Sequence, residues 1–171
     1  MNPKELSADE LRRELVALAI EWERRYGVSP AITSAVSELD AARLVGHSAD
    51  SFGLDGKGRT AVTRGADFRY DGLRYQVKAN RPSGKRGSPV TLVARAKNYE
   101  WDRLIWLRYD REFQIQEAWE WTVDDYRAAF AARRRLSPED MGSGRNLGAA
   151  KPRLISALQN SPVGKDPTSA A

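Results

Sequence analysis

Residues 65–80, with the sequence GADFRYDGLRYQVKAN, decide the fold. Two runs with the composition of strands, Ala66–Tyr70 and Leu73–Ala79, flank the dipeptide Asp71-Gly72. Asp-Gly favours a tight hairpin turn, because its residues tolerate the positive φ angles that such a turn needs. The stretch therefore predicts a strand, a turn and a second strand.

Three polar side chains of this hairpin are predicted to project from one face. Gln76 and Lys78 are two residues apart in a strand, so they point the same way, and the turn brings Asp67 alongside them. The Asp and Gln oxygens, with the backbone carbonyl of Val77, can supply part of the octahedral shell of a hard divalent cation. Lys78 would lie beside a water bound to that cation.

Outside the hairpin, hydrophobic periodicity predicts three helices and two further strands. The predicted elements are the helices Ser7–Arg25, Ile32–Val45 and Val123–Leu136, a buried central strand Leu104–Tyr109 and a half-buried strand Phe113–Trp121. This order indicates an α/β fold with a small mixed central sheet flanked by helices.

The first predicted helix has an apolar stripe formed by Leu11, Leu15, Leu18 and Trp22, which recur every three or four residues. Polar residues, among them Arg12, are expected to fill its outer face. The chain divides into this N-terminal helix (1–30), a core (31–158) and a disordered tail (159–171).

The composition excludes several classes of chemistry. The chain has no Cys, which removes disulfide scaffolds, cysteine nucleophiles and thiolate metal sites, and its one histidine, His47, is expected at the surface or as a helix cap. The formal net charge of +5 permits a polyanionic partner. Neither a targeting segment nor a membrane span is predicted, so we expect a cytoplasmic protein.

The motif Gly65-Ala66-Asp67, followed by Gln76-Val77-Lys78-Ala79, resembles that of the PD-(D/E)XK nucleases, which have the restriction-endonuclease-like fold. Two departures are Ala66 in place of the usual Pro and Gln76 in place of the usual acid. The glutamine form is similar to that of the methyl-directed restriction nucleases. The resemblance covers residues 31–136, and the helix that contains Glu38 is similar to the family's first core helix.

The resemblance implies a Mg²⁺-dependent endonuclease that hydrolyses phosphodiester bonds of double-stranded DNA, with Mn²⁺ able to substitute. Asp67, Gln76 and Val77 would bind the metal, Lys78 would activate the attacking water, and Glu38 would serve as a second-metal ligand or general base. A restriction or defence enzyme of this size would act as a homodimer, with the N-terminal helix as the candidate dimerisation element.

A basic segment supports DNA as the substrate. Between Gly72 and Tyr99 the chain has seven basic residues and no acid. The predicted DNA contacts in this segment are Asn80, Arg81, Ser83, Lys85 and Arg86, and those in a second basic stretch are Arg145 and Asn146.

Two alternatives stay open at this stage. Gln76 in place of an acid is compatible with a catalytically inactive DNA-binding relative of the nucleases. The first two helices also permit a helix-turn-helix regulator, although Glu38 and Asp40 make the second helix a poor surface for a DNA groove.

Overall fold

The computed structural model describes residues 6–49, 51–52, 65–82 and 90–148. These residues form a five-stranded mixed sheet with helices packed on it, which confirms the predicted α/β class. The elements are α1 (Ala8–Tyr26), α2 (Thr33–Leu44), β1 (Phe68–Tyr70), β2 (Leu73–Asn80), β3 (Arg103–Tyr109), β4 (Ile115–Thr122), α3 (Val123–Phe130), α4 (Pro138–Met141) and β5 (Arg145–Asn146).

The sheet has the strand order β1-β2-β3-β4-β5. The predicted hairpin is confirmed: β1 and β2 are antiparallel, with Phe68 opposite Tyr75. Asp71 and Gly72 join them with φ angles of 50° and 73°, the left-handed conformation for which the dipeptide is suited. Strand β3 is parallel to β2, and β4 and β5 continue the sheet antiparallel.

The two faces of the sheet bury separate cores. One face is covered by α2 and is called the helix-2 face. There, Tyr75 and Val77 pack with Val36, Ala41 and other residues. The opposite face, the helix-3 face, buries a second cluster around the central strand. That cluster contains Leu104, Trp106, Trp121, Tyr126 and Phe130. Because side chains alternate along β2, Gln76 and Lys78 lie on the helix-3 face.

Helix α1 packs on the fold with a different face from the predicted one. Arg12, expected on the outer face, is mostly buried and pairs with the buried carboxylate of Asp40 at 2.6 Å. Asp40 also accepts a hydrogen bond of 2.8 Å from the hydroxyl of Tyr109. Burial raises the pKa of Tyr109, and the neighbouring Asp40 raises it further, so the phenol stays protonated. The leucine stripe of α1 faces outward.

The C-terminal part of the core differs from the sequence-based expectation. The predicted helix Val123–Leu136 ends at Phe130. Leu136 is instead buried and pairs with Val93 in an isolated β-bridge. The short α4 and β5 were not predicted. The predicted tail lies outside the described residues.

None of the helices in the described ranges combines the length and the hydropathy that a membrane span requires.

Candidate active site

The centre of the candidate site is the carboxylate of Asp67. Its Oδ2 accepts a hydrogen bond of 2.6 Å from the backbone N–H of Val77, and it also accepts one from the side-chain amide of Gln76. The Gln76 amide nitrogen lies 3.4 Å from the backbone carbonyl oxygen of Val77. Three groups predicted from the sequence to act together are therefore in contact.

The start of strand β1 explains why the Asp67 carboxylate is held against the backbone of Val77. The Asp67 backbone N–H donates to the Tyr75 carbonyl at 2.7 Å, and β1 begins at the next residue, Phe68. The strand thus provides no backbone carbonyl opposite Val77. The Asp67 side chain supplies that acceptor and satisfies the N–H of β2.

Lys78 lies on the same face as this carboxylate. It follows Gln76 by two residues in β2 and is paired in register with Trp106 of β3. Its side chain is partly buried, and within the described ranges it forms no hydrogen bond or ion pair. A lysine in this position offers its ammonium group to an anion that approaches the helix-3 face.

The donor set fits a hard divalent cation. Asp67 Oδ2 and the Val77 carbonyl oxygen both point at the Gln76 amide nitrogen. The two ends of an amide are nearly equal in shape, so a half-turn of this group would place its oxygen, a ligand for Mg²⁺, beside the same two oxygens. The part of the chain that the structure describes holds no cluster of three or more His, Asp or Glu residues suited to a metal. A cation here would have one carboxylate ligand and would retain several waters.

Glu38 belongs to the other side of the sheet. Its helix, α2, packs through Val36 and Ala41 in the cluster that also contains Val77. Val77 points away from the face that carries Gln76 and Lys78. Glu38 is partly buried. Its role in the site stays a prediction.

Two predicted DNA contacts are used within the fold. Asn80 accepts a hydrogen bond from the Trp106 indole at 2.8 Å and donates one to the Leu92 carbonyl at 3.0 Å. The Arg81 side chain is only 7% exposed, and its guanidinium pairs with Glu23 of α1 at 2.8 Å and lies 4.5 Å from the Phe113 ring centroid. These contacts give both side chains a structural role.

The other predicted DNA contacts lie far from the hairpin or outside the described residues. Arg145 is on β5, three strands from β2, or about 14 Å at the usual strand spacing. Its guanidinium pairs with buried Glu120 on the helix-2 face. Asn146 accepts a hydrogen bond of 2.6 Å from the backbone N–H of Gly148. The three remaining predicted contacts, Ser83, Lys85 and Arg86, are among the residues that the structure does not describe.

Contacts with residues outside the basic segment hold two of its arginines within the fold. Arg74 pairs with Asp102, just before β3, at 3.0 Å. Hydrogen bonds from the Arg74 side chain and backbone N–H lower the pKa of Asp102 to about 2. Arg95 donates to the carbonyl oxygens of Phe130 and Ala131, at the end of α3. A count of basic residues along the sequence does not include these distant partners.

His47 is buried, which corrects the expectation of a surface position, and its backbone N–H donates to the Ala42 carbonyl at 2.9 Å, which confirms its place in the cap of α2. Its ring stacks on Tyr70 with centroids 5.0 Å apart and meets Phe68 edge-on. An aromatic cluster beside the hairpin therefore holds the imidazole. Only the run of aromatic residues near the hairpin could have suggested this environment from the sequence.

A second feature that the sequence did not indicate is a groove of about 620 Å³ on the helix-2 face. It is lined by Tyr75, Arg103, Glu120 and Arg145, among others, and lies beyond the area that α2 covers. Glu120 is buried there and is neutralised by Arg145. The groove is on the opposite face from Lys78, so it is separate from the candidate active site.

No protein-family model matches the chain, and the comparison with curated proteins finds no match. The similarity to the PD-(D/E)XK nucleases therefore stays a prediction, and the functional argument depends on the geometry of the hairpin.

Proposed function

We propose that the protein is a Mg²⁺-dependent endonuclease with a restriction-endonuclease-like core, which hydrolyses phosphodiester bonds of double-stranded DNA. The observation that supports this function best is the contact between Asp67, Gln76 and the Val77 backbone, with Lys78 unpaired among the described residues on the same face. A carboxylate, an amide and an ammonium on one rigid hairpin form a set suited to phosphate chemistry.

In this proposal each residue has a distinct role. The Asp67 carboxylate, the Gln76 amide oxygen and the Val77 carbonyl hold the cation, with Gln76 the weaker ligand because it has no charge. A bound Mg²⁺ supplies a more acidic water and polarises the phosphate. Lys78 orients the attacking water and stabilises the negative charge that develops on the phosphate oxygens.

The surface around Lys78 supports an anionic substrate, although less strongly than the sequence alone suggested. Arg74, Arg81 and Arg95 are used within the fold. Lys97 is exposed, and it forms no ion pair with any residue that the structure describes. Among the residues of this segment that the structure describes, Lys78 and Lys97 are thus the cations that can meet a phosphate without breaking a contact.

The test is plasmid cleavage by the purified protein in Mg²⁺ and in Mn²⁺. We expect wild-type protein to nick and linearise the plasmid, and both Asp67→Ala and Lys78→Ala to lower the rate by roughly a hundredfold or more. DNA binding, measured in Ca²⁺ by fluorescence anisotropy, should persist in Lys78→Ala.

Lys97→Ala is the matched control, because it removes an exposed lysine of the same segment without touching the hairpin. It should retain cleavage and lose only part of the DNA affinity. Because Asp67 also satisfies a backbone N–H, Asp67→Asn is the second variant: it keeps an acceptor for Val77 but removes the charge. Cleavage equal to wild type by Asp67→Asn and Lys78→Ala would contradict the assignment of the site.

A DNA-binding protein without catalytic activity is the second candidate. It is favoured by the structural use of Asp67, whose carboxylate accepts the backbone N–H of Val77 and so completes the strand ladder. Wild-type protein that binds DNA but leaves plasmid intact in both metals would establish this function. The helix-turn-helix alternative is disfavoured, because α2 packs through Val36 and Ala41 on the central sheet.

The proposed enzyme would act in the cytoplasm as a restriction or defence nuclease. Cleavage of both DNA strands by one site per chain requires two subunits, so a homodimer is part of the proposal.

A further inference from the structure

Helix α1 exposes its most apolar side. Five large side chains along it are between 38% and 69% exposed: Leu11, Leu15, Leu18, Trp22 and Tyr26. They follow one another at steps of four, three, four and four residues, so they form one continuous stripe. The rings of Trp22 and Tyr26 lie 4.6 Å apart on the surface.

The opposite side of α1 is attached to the fold mainly by charged groups. Arg12 pairs with Asp40, Asp9 with Arg43, and Glu23 with Arg81. The buried apolar residues of the helix are the small Val16 and Ala19. A surface helix of a monomer normally has the reverse arrangement, with its apolar side inward.

The stripe is large for an exposed apolar patch. A large aromatic side chain contributes about 150–250 Å², so Trp22 and Tyr26 alone expose roughly 200 Å². The three leucines extend this area in the direction of the N-terminus. Continuous apolar patches larger than a few hundred Å² usually mark contacts with another molecule.

We propose that this stripe binds the same stripe of a second copy, with the two α1 helices antiparallel. The stripe is nearly symmetric about its centre between Leu18 and Ala19. Reversal places Leu11 beside the partner's Tyr26 and Leu15 beside the partner's Trp22. A self-complementary surface of this kind generates a two-fold dimer, which is closed and does not extend into a filament.

The charges beside the stripe favour the antiparallel orientation. On one flank of the stripe, Glu10 and Glu14 lie in its N-terminal half, and Arg25, which pairs with Glu21, lies in its C-terminal half. Antiparallel helices bring this flank of one copy against the same flank of the other, which places Glu10 near the partner's Arg25. In a parallel pair each flank would face the opposite flank of the partner, so these residues would not meet.

This dimer supplies the second subunit that the proposed nuclease requires, but its test does not depend on catalysis. Sedimentation velocity of the full chain should give a dimer at micromolar concentration. Leu18→Glu should weaken the dimer by roughly a hundredfold, because it buries two like charges near the two-fold axis. Leu92→Glu, which changes a leucine outside α1 that is 55% exposed, should leave the dimer intact. Circular dichroism checks that both variants are folded.

The absence of Cys from the chain allows a second measurement of the orientation. A single engineered Cys can form a disulfide only with another copy, and only when the two Cα atoms come within about 7 Å. Leu18→Cys should crosslink to itself on oxidation, and Leu11→Cys should crosslink to Tyr26→Cys but not to itself. A monomeric wild type, a dimer unaffected by Leu18→Glu, or self-crosslinking of Leu11→Cys would overturn the proposal. Plasmid cleavage that fails while the dimer forms would refute only the nuclease.

Discussion

Replacing Arg81 by Ala would remove a cation that the structure holds inside the protein. The Arg81 side chain is 7% exposed and that of its partner Glu23 is 12% exposed. Arg81 also donates to the Arg111 carbonyl at 2.8 Å and to the hydroxyl of Ser29 at 3.2 Å. The variant leaves the Glu23 carboxylate without its ion-pair partner in a place where water reaches it poorly.

The expected loss follows from this burial. Removal of one member of a buried ion pair costs about 3–5 kcal/mol, because the remaining charge is left uncompensated. At this chain length each kcal/mol lowers the melting temperature by about 2–4 °C, so Arg81→Ala should melt roughly 10 °C lower than wild type. Replacement of both Arg81 and Glu23 by Met should recover most of the loss, since no unpaired charge remains.

Urea unfolding followed by circular dichroism measures the loss of unfolding free energy in Arg81→Ala and its recovery in the double variant. Arg24→Ala is the control, because it breaks an exposed ion pair with Glu21 on the same helix and should barely change stability. A loss below about 1 kcal/mol for Arg81→Ala would refute the structural role. If that stable variant also bound DNA weakly, Arg81 would be a phosphate contact, as the sequence suggested.

Three further predictions concern the hairpin and its surroundings. Gln76→Glu places a second carboxylate against Asp67, so without metal the variant should melt at a lower temperature than wild type. Addition of Mg²⁺ should raise its melting temperature. No response to Mg²⁺ in thermal melts would count against a cation site. Because the pKa of Asp102 is lowered in the folded protein, its pairing stabilises the fold above about pH 4 and is lost as the pH falls towards 2. Asp102→Asn should therefore flatten the decline of the unfolding free energy between pH 4 and pH 2, and an unchanged slope would show that the pairing contributes nothing. Gly144→Ala places a methyl group 2.6 Å from the Trp121 indole nitrogen and should cost about 1–3 kcal/mol in urea unfolding, whereas a neutral effect would mean that β5 can move away.

The hairpin and the geometry of the candidate site could be predicted from the sequence because their determinants are local. Asp71-Gly72 fixes the turn, and the period of two along β2 fixes which side chains share a face. Asp67 then lies opposite Gln76 without any further information. The buried central strand was recognisable for a similar reason, since β3 is an almost continuous apolar run.

The features that could not be predicted depend on partners far along the chain. The apolar stripe of α1 suggested that the leucines pack inward, but Arg12 and Glu23 are held inside by Asp40 and Arg81. A local pattern contains no record of such pairs. Helix α3 was predicted too long for the same reason, because Leu136 pairs with Val93 instead of continuing the helix.

The lengths of the outermost strands have a consequence for how copies of this protein meet. In the part of the chain that the structure describes, the edge strands of the sheet are β1, with three residues, and β5, with two. Edge strands this short present few unpaired backbone N–H and C=O groups, so another chain can hardly add a strand to the sheet. Backbone pairing of that kind is indifferent to side-chain identity and leads readily to aggregates. Because the short edge strands restrict such backbone pairing, recognition between copies depends on helical side chains, which can discriminate one partner from another.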